Sequence, residues 1–434
     1  MDATLGGAAE GSWAKELKQI QMLLCTFLVI SMQLGFAMLE VGSVRVAHRM
    51  TVLVKNLLDS VVSCLVLALV AQLSRPSIII GSSGEPEFHL ILFHWSFLTT
   101  SVTICSGSMA ERVQMVAYIC YACVMSAFVY PVLAASAWGD SGLLSDQFHA
   151  VHNISYSYHD FAGGGVVHLS GGIGALVGNM LLGRRIMQPK GICKSRPFAP
   201  SEQDEESPRS TEADERLLEA MFNRWQRRFD NEGEDQGEFK ANNYLQVLGM
   251  FNLWVGWYGF NSGSAFAKGG AGSSDLASSV AWKTSLSASS GALGAYLNSY
   301  IFCPIVDVGF LCNGVLSGLV ASSAGCDVAS PLACTLIGFI AGLVIYPSGR
   351  ETLRRLRLDD PVDAVPVHAC CGLYGIICAG FCKPSCEDSF SAFCEPGHNM
   401  ERQLQMQVWG AFTITWWTTM VTLCLWLFFV VSEG

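Results

Sequence analysis

Residues 160–185 read DFAGGGVVHLSGGIGALVGNMLLGRR, and this stretch decides the fold. Between Asp160 and the Arg184-Arg185 pair there is no formal charge, and a bilayer-crossing helix needs about 20 such residues. His168 sits inside the run. Ionisable residues at that depth are costly and mark a substrate pathway by default. Outward along the chain, further stretches of this kind start near Gln19, Ser60, Phe88, Val113, Asn242, Thr284, Val308, Val328, Ala364 and Gln403, which with Phe161 makes eleven candidate spans. The second is short, with Asp59 at its entry and Arg75 at its end, and the ninth meets the helix-ending pair Tyr346-Pro347. The pattern predicts an all-α polytopic membrane protein whose termini lie on opposite sides.

The composition agrees. The chain has 434 residues, 51% apolar and 14% charged, where about a quarter of a soluble chain is charged. Of its 26 Lys/Arg and 36 Asp/Glu, 11 and 13 fall between residues 183 and 242, so the rest is poorer still. A net charge of −10 without a basic stripe argues against a nucleic-acid partner. Most of the 17 cysteines sit inside apolar runs, where they read as small hydrophobes rather than a disulfide framework.

Lys and Arg in short loops set orientation. Arg45, Arg49, Lys55, Arg112, Arg184, Arg185, Arg350, Arg354, Arg355 and Arg357 cluster on one predicted face, while Lys15, Lys18, Arg75, Lys268, Lys383 and Arg402 are scattered on the other. The arginine-rich face is therefore expected in the cytosol, with the N-terminus outside, the C-terminus inside and the first span a retained anchor. The large soluble segment, 183–242, becomes a cytosolic insertion. Within it Leu217, Leu218, Met221, Phe222, Trp225 and Phe229 recur at helical spacing, which predicts an amphipathic helix over 212–229. Two readings stand: a regulatory arm meeting a cytosolic regulator or the lipid surface through Arg224, Arg227 and Arg228, and a tolerated loop insertion.

His168 lies eight residues from Asp160, about 12 Å along a helix, and His368 lies five residues from Asp363. Small residues follow both, Ser170-Gly171-Gly172 and Ala369-Cys370-Cys371-Gly372, so both helices have faces that allow close approach. A lone histidine in a span is as often an interhelical hydrogen bond as a functional group. Two of them in glycine-rich spans point to a pore, since facing neutral imidazoles donate to and accept from each other and still present an edge to a small polar guest. Neither span supplies further ligands at zinc spacing, and Ser170 is too close in sequence to His168 for a nucleophile–base pair. Without a nucleophile elbow, P-loop or dinucleotide fingerprint, neither an enzyme nor a cofactor is expected. Aromatic residues complete the pattern: Phe93 and Phe97 share a face of span three, Trp138 ends span four, and Trp254, Trp257, Tyr258 and Phe260 precede Asn261-Ser262-Gly263-Ser264. Membrane aromatics are usually interfacial anchors, but aromatic faces beside a hydroxyl also suit a small cation.

Six ordered segments resemble the ammonium transporter family (Amt/Mep/Rh), Amt-like branch. They are 33–45 (QLGFAMLEVGSVR), 55–59 (KNLLD), 106–112 (SGSMAER), 160–168, 256–264 (GWYGFNSGS) and 359–363 (DDPVD) leading to His368. The resemblance runs from about 33 to 380, interrupted by 183–242. It implies a plasma-membrane homotrimer for nitrogen uptake, each subunit having its own pore built from two inverted five-helix halves plus a long closing helix. It further implies that Trp138, Phe97, Ser264 and Asp160 form the outer ammonium recruitment site, that Phe97 and Phe260 are the gate, and that His168 and His368 are the twin histidines of a hydrophobic pore. Two departures stand out: the chain stops at Gly434 without the family's cytosolic tail, and the loop after span five is several-fold longer than usual.

A bare ammonium ion is too costly in an apolar pore, so the expected route is capture, deprotonation, passage of ammonia and proton relay through the histidines. The rivals are an electroneutral ammonia channel and an ammonium sensor with vestigial transport. The orientation also places the Asn153 glycosylation sequon and a Cys386–Cys394 disulfide in outer loops. A membrane-impermeant reagent is expected to label probes in the 150s and 380s loops of intact cells; labelling only from the cytosolic side reverses the topology.

Overall fold

A computed structural model describes residues 2–74, 77–79, 87–145, 156–185, 241–268, 272–302, 307–382 and 400–432. The helix expected over 212–229, the Asn153 sequon and the Cys386–Cys394 pair lie outside the described residues. Among the described residues there is no strand. The chain forms α1 (Asp2–Ser43), α2 (Arg49–Ser74), α3 (Phe88–Ser108), α4 (Met115–Trp138), α5 (Gly164–Leu182) and α6 (Asn243–Lys268). It continues with α7 (Ser273–Phe302), α8 (Val308–Ser323), α9 (Pro331–Arg355), α10 (Val365–Cys382) and α11 (Met400–Ser432). Eight of them, α1 to α5 and α9 to α11, are long and apolar enough to cross a membrane. All eleven sequence-predicted spans fall on one of these helices.

Two boundaries differ from the sequence expectation. α2 starts at Arg49, well before Ser60, and carries Lys55, Asn56 and Asp59 in its buried face. Those polar groups are tolerated because each finds a partner: Lys55 Nζ donates to the Val113 carbonyl (3.0 Å), Asn56 Nδ2 to Glu40 (2.9 Å), and Asp59 accepts from Thr103 (3.0 Å) and Tyr118. α9 does not stop at Tyr346-Pro347 but continues to Arg355. A π turn over Ala341–Ile345 precedes the proline. The wider turn inserts a residue where the proline ring would otherwise meet a carbonyl and where its missing N–H would break the ladder. α4 uses the same device, with a π turn over Met125–Val129 ahead of Tyr130-Pro131.

α1 packs along α6 through glycines. A Cβ on Gly249 would lie 2.6 Å from the Gly35 carbonyl, one on Gly256 2.9 Å from the Leu28 carbonyl, and one on Gly259 2.4 Å from the Cys25 carbonyl. Contacts that rise along α6 as they fall along α1 make the pair antiparallel. The pairing of equivalent helices in opposite directions relates α1–α5 to α6–α10 as inverted halves. The π turns of α4 and α9 and those opening α5 (Gly164–Leu169) and α10 (Val365–Cys370) repeat the relation. α11 closes both halves: Gln407 Nε2 donates to the Ile376 carbonyl (2.8 Å) and to the His159 carbonyl (2.9 Å), and Trp417 donates to the Phe128 carbonyl (3.1 Å).

Gly249→Val forces side-chain atoms into the α1 backbone, and overpacking of this kind costs about 1–3 kcal/mol. The variant is expected to give a lower midpoint and reduced folded yield when thermal unfolding in detergent is followed by size exclusion.

Candidate functional site

Asp160 opens the site from the backbone upward. Its Oδ2 accepts from the N–H groups of Gly165 and Val166, both at 2.9 Å, and so caps the start of span five. The chain before α5 is pinned further: Phe161 and Ala162 N–H donate to the Ala324 and Ser323 carbonyls (2.9 and 3.0 Å). Gly163 takes a left-handed φ of 84°, a conformation that glycine adopts without steric cost. Together these turn the π-helical start of α5 so that His168 is fully buried between the two halves. Across from it, Asp360 Oδ2 accepts from Val365 N–H (2.8 Å) at the start of α10. Asp360 precedes His368 by eight residues, as Asp160 precedes His168. The sequence reading paired His368 with Asp363 instead; the structure corrects this, because Asp363 binds Tyr346 Oη (2.7 Å) and Arg350 (3.2 Å) and leaves the cap to Asp360.

His168 and His368 meet Nδ1 to Nδ1 at 3.2 Å, rings 5.3 Å apart. One Nδ1 must carry a proton and the other must not. His168 Nε2 is buried and has no hydrogen-bond partner among the described residues. The ring stacks on Trp257 (5.0 Å) and lies 5.3 Å from Phe260, while Trp257 donates to Ser323 Oγ (3.0 Å). Phe260 in turn lies face to face with Phe97, centroids 3.9 Å apart and planes 3° from parallel. Phe97 meets Trp138 edge-on at 6.1 Å and Phe93 at 4.6 Å. At the opposite end Phe36 lies 6.3 Å from His368. Trp138, Phe97, Phe260, His168, His368 and Phe36 therefore form one continuous column.

Ser264 and Asp160 stand beside this column. Ser264 Oγ donates to the Phe260 carbonyl (3.1 Å), so its lone pairs remain for a donor ligand. Trp138 Nε1 donates to the Asp160 carbonyl (2.7 Å), tying this tryptophan to the α5 cap. The loop beside them is held by His159 Nε2 with Asp327 Oδ1 (2.9 Å), and Lys268 lies over the Phe161 ring at 4.8 Å. Burial pushes the Asp327 carboxyl up, but the neighbouring His159 and Lys268 outweigh it and hold it below the ordinary carboxylate range. Sequence reading missed His94, which bonds Tyr130 Oη through Nδ1 (2.9 Å) and lies 6.0 Å from Trp138; its signal was a further histidine in an apolar span. It also missed Phe36, which only the fold brings to His368. Among the described residues no three His, Cys, Asp or Glu side chains are grouped to hold a metal ion.

Apolar helices around a buried aromatic and histidine column define a multi-pass membrane protein. The chain belongs to the Ammonium Transporter Family, whose profile matches residues 20–202 and 218–432. The match extends past the 33–380 range of the motifs, through α11 and into the insertion. A curated relative, ammonium transporter Amt2 of Archaeoglobus fulgidus, is 34% identical over 372 residues, covering 82% of this chain and 70% of its own. The chain also resembles the solved Sensor Amt Protein (TM-score 0.72, 23% identity, 95% and 92% of the two chains) and Saccharomyces cerevisiae Mep2 (TM-score 0.70, 20% identity, 94% and 84%). At those identities the two structures speak to the fold alone.

Asp160→Ala removes the acceptor of two buried N–H groups, and loss of a cap costs about 0.5–2 kcal/mol. A lowered thermal midpoint in detergent is expected, and a wild-type midpoint would show that the cap is dispensable.

Proposed function

We propose that this chain is an ammonium transporter that captures ammonium outside, removes its proton, passes ammonia through the aromatic gate and relays the proton through His168 and His368. The observation that carries the reading is the partnerless Nε2 of His168, buried directly behind the stacked Phe97–Phe260 pair. A bare cation entering that apolar column loses its hydration at a cost of several kcal/mol, and the rings return little of it. Neutral ammonia avoids most of that cost and accepts or donates one hydrogen bond at a time. Capture falls to Trp138 and Phe97 through cation–π attraction and to Ser264 as acceptor, with Asp160 fixing the frame behind them.

The histidine pair handles the proton. In the tautomer where His168 Nδ1 donates to His368 Nδ1, His168 Nε2 is a bare acceptor and His368 Nε2 carries hydrogen. A proton gained at His168 Nε2 lets the Nδ1 proton cross to His368, which releases its Nε2 proton on the other side. No charge has to cross as a bare ion. Potassium has no proton to give up and is rejected without a carbonyl filter. On this reading the protein works as a homotrimer in the plasma membrane, its arginine-rich face in the cytosol.

In proteoliposomes, wild-type protein is expected to give an ammonium-dependent current with none for potassium. The double variant His168→Ala/His368→Ala, which loses one interhelical hydrogen bond worth about 1 kcal/mol, should stay folded and lose at least about a tenfold share of that current, a modest part of what positioned proton transfer contributes. Full current from the double variant ends the relay reading; uptake of ammonia without current in the wild type replaces it with an electroneutral channel.

A further inference from the structure

The column does not end in apolar residues. Phe36, the ring beside His368, shares a face of α1 with Glu40, one turn further toward the arginine-rich side and about 6 Å along the helix. Glu40 is 2% exposed and lies in a buried cluster with Lys55, Asn56 and Asp59 of α2, Thr103 and Ser106 of α3 and Tyr118 of α4. Its Oε2 accepts from Asn56 Nδ2 (2.9 Å) and Ser106 Oγ (3.3 Å). Its Oε1 faces Gly107, where a Cβ would lie 3.4 Å away and would also meet Val362, the residue just before Asp363 on the way to His368. A glycine thus lets Val362, on the chain that leads to the second histidine, pack close beside this carboxyl.

The charges around Glu40 do not account for its presence as a structural group. Lys55 Nζ donates to the Val113 carbonyl and lies over the Tyr118 ring at 5.3 Å. Asp59 is occupied by Thr103 and Tyr118, and the Arg112 guanidinium by the carbonyls of Gly183 (2.5 Å) and Asp359 (2.7 Å). The hydrogen bonds Glu40 itself accepts come from a neutral amide and a neutral hydroxyl, and a glutamine would satisfy both without burying an acid. Two buried carboxyls beside one ammonium call for a further positive charge, and a proton is the smallest one.

We propose that Glu40 re-protonates ammonia at the arginine-rich end of the pore. This rests on the twin-histidine reading above and adds to it the place where proton and ammonia recombine. The protonated carboxyl gives its hydrogen to the ammonia nitrogen: the O–H bond breaks, an N–H bond forms, and ammonium leaves with the charge. The carboxylate then takes up the proton released from His368, so one proton and one ammonia enter and one ammonium departs. Asn56 and Ser106 hold Oε2, which leaves Oε1 as the transferring atom.

The test measures ammonium current in proteoliposomes while pH on the arginine-rich side is stepped through the neutral range. Glu40→Gln keeps the shape and both hydrogen bonds. It is expected to lower the current by about a hundredfold, the lower end of what a positioned proton donor contributes, and to abolish the dependence on that pH. Glu40→Asp is expected to restore part of the current with a displaced pH profile, and it carries the test where the glutamine variant does not fold. Wild-type current and profile in Glu40→Gln overturn the proposal, as does a lowered current whose pH profile is unchanged, or Glu40→Asp with the wild-type profile. The His168→Ala/His368→Ala protein is measured alongside. If it has lost its current while Glu40→Gln conducts normally, only this inference falls; if it conducts as wild type, the relay beneath it falls too.

Discussion

Two imidazoles held 3.2 Å apart in the middle of an apolar bundle are the constraint that the rest of the molecule serves. Each comes from a different half of the chain, so the distance between them is the distance between α5 and α10. That approach is possible only because the facing residues are small. A Cβ on Gly172 would lie 2.3 Å from the Ala369 nitrogen, and one on Gly372 2.9 Å from the Gly164 carbonyl. The same approach buries the rings away from water, where an unpaired ring nitrogen would cost about 1–3 kcal/mol. Their mutual hydrogen bond removes that cost at the Nδ1 atoms and leaves it at His168 Nε2. Among the described residues His168 Nε2 is one of several buried polar atoms without a partner, and on the proposed reading it is the one that a transient polar guest meets.

The inverted halves supply matching parts that diverge in chemistry. Gly163 and Asp363 both take left-handed φ values three residues after a capping aspartate. The first is a glycine on the aromatic side; the second is a carboxylate tied to Tyr346, Asn313 and Arg350 on the arginine-rich side. Tyr130 and Tyr346 follow equivalent π turns, yet one bonds His94 and the other Asp363. A symmetric scaffold thus ends in an aromatic, hydroxyl-lined mouth at one end and a charged one at the other.

The helical membrane fold was legible because hydropathy alone carries it: eight spans are apolar enough to be read without any tertiary information. It failed where tertiary partners override composition. Asp59 reads as the edge of a span until Thr103 and Tyr118 are seen beside it, and Pro347 reads as a stop until the π turn before it is seen. The candidate site was legible in the residues that break an apolar run, His168 and His368, and in the 256–264 motif for Phe260 and Ser264, while Phe97 and Trp138 came from the aromatic pattern and the family resemblance. Phe36 was not, because an aromatic in an apolar helix has no local signal for facing a pore. Asp360 was available in the repeated eight-residue spacing to histidine, but the nearer Asp363 masked it.

The stacked Phe97–Phe260 pair lies across the proposed path, and its energy decides what kind of barrier it would be. An aromatic pair of this sort is worth about 0.5–1.5 kcal/mol beyond the area it buries. Thermal motion parts such rings readily, so the stack delays passage without deciding what passes. Removing a cation from water costs several kcal/mol more, and that cost extends along the whole apolar column to the histidines. On the proposed route, ion rejection is a property of the length and dryness of the column, shared by Trp257, Phe260, Phe97 and the glycine-faced backbones around them. On that route the histidines make rejection compatible with net transport of ammonium, because they would provide the one chemical step that an ion without a proton cannot take.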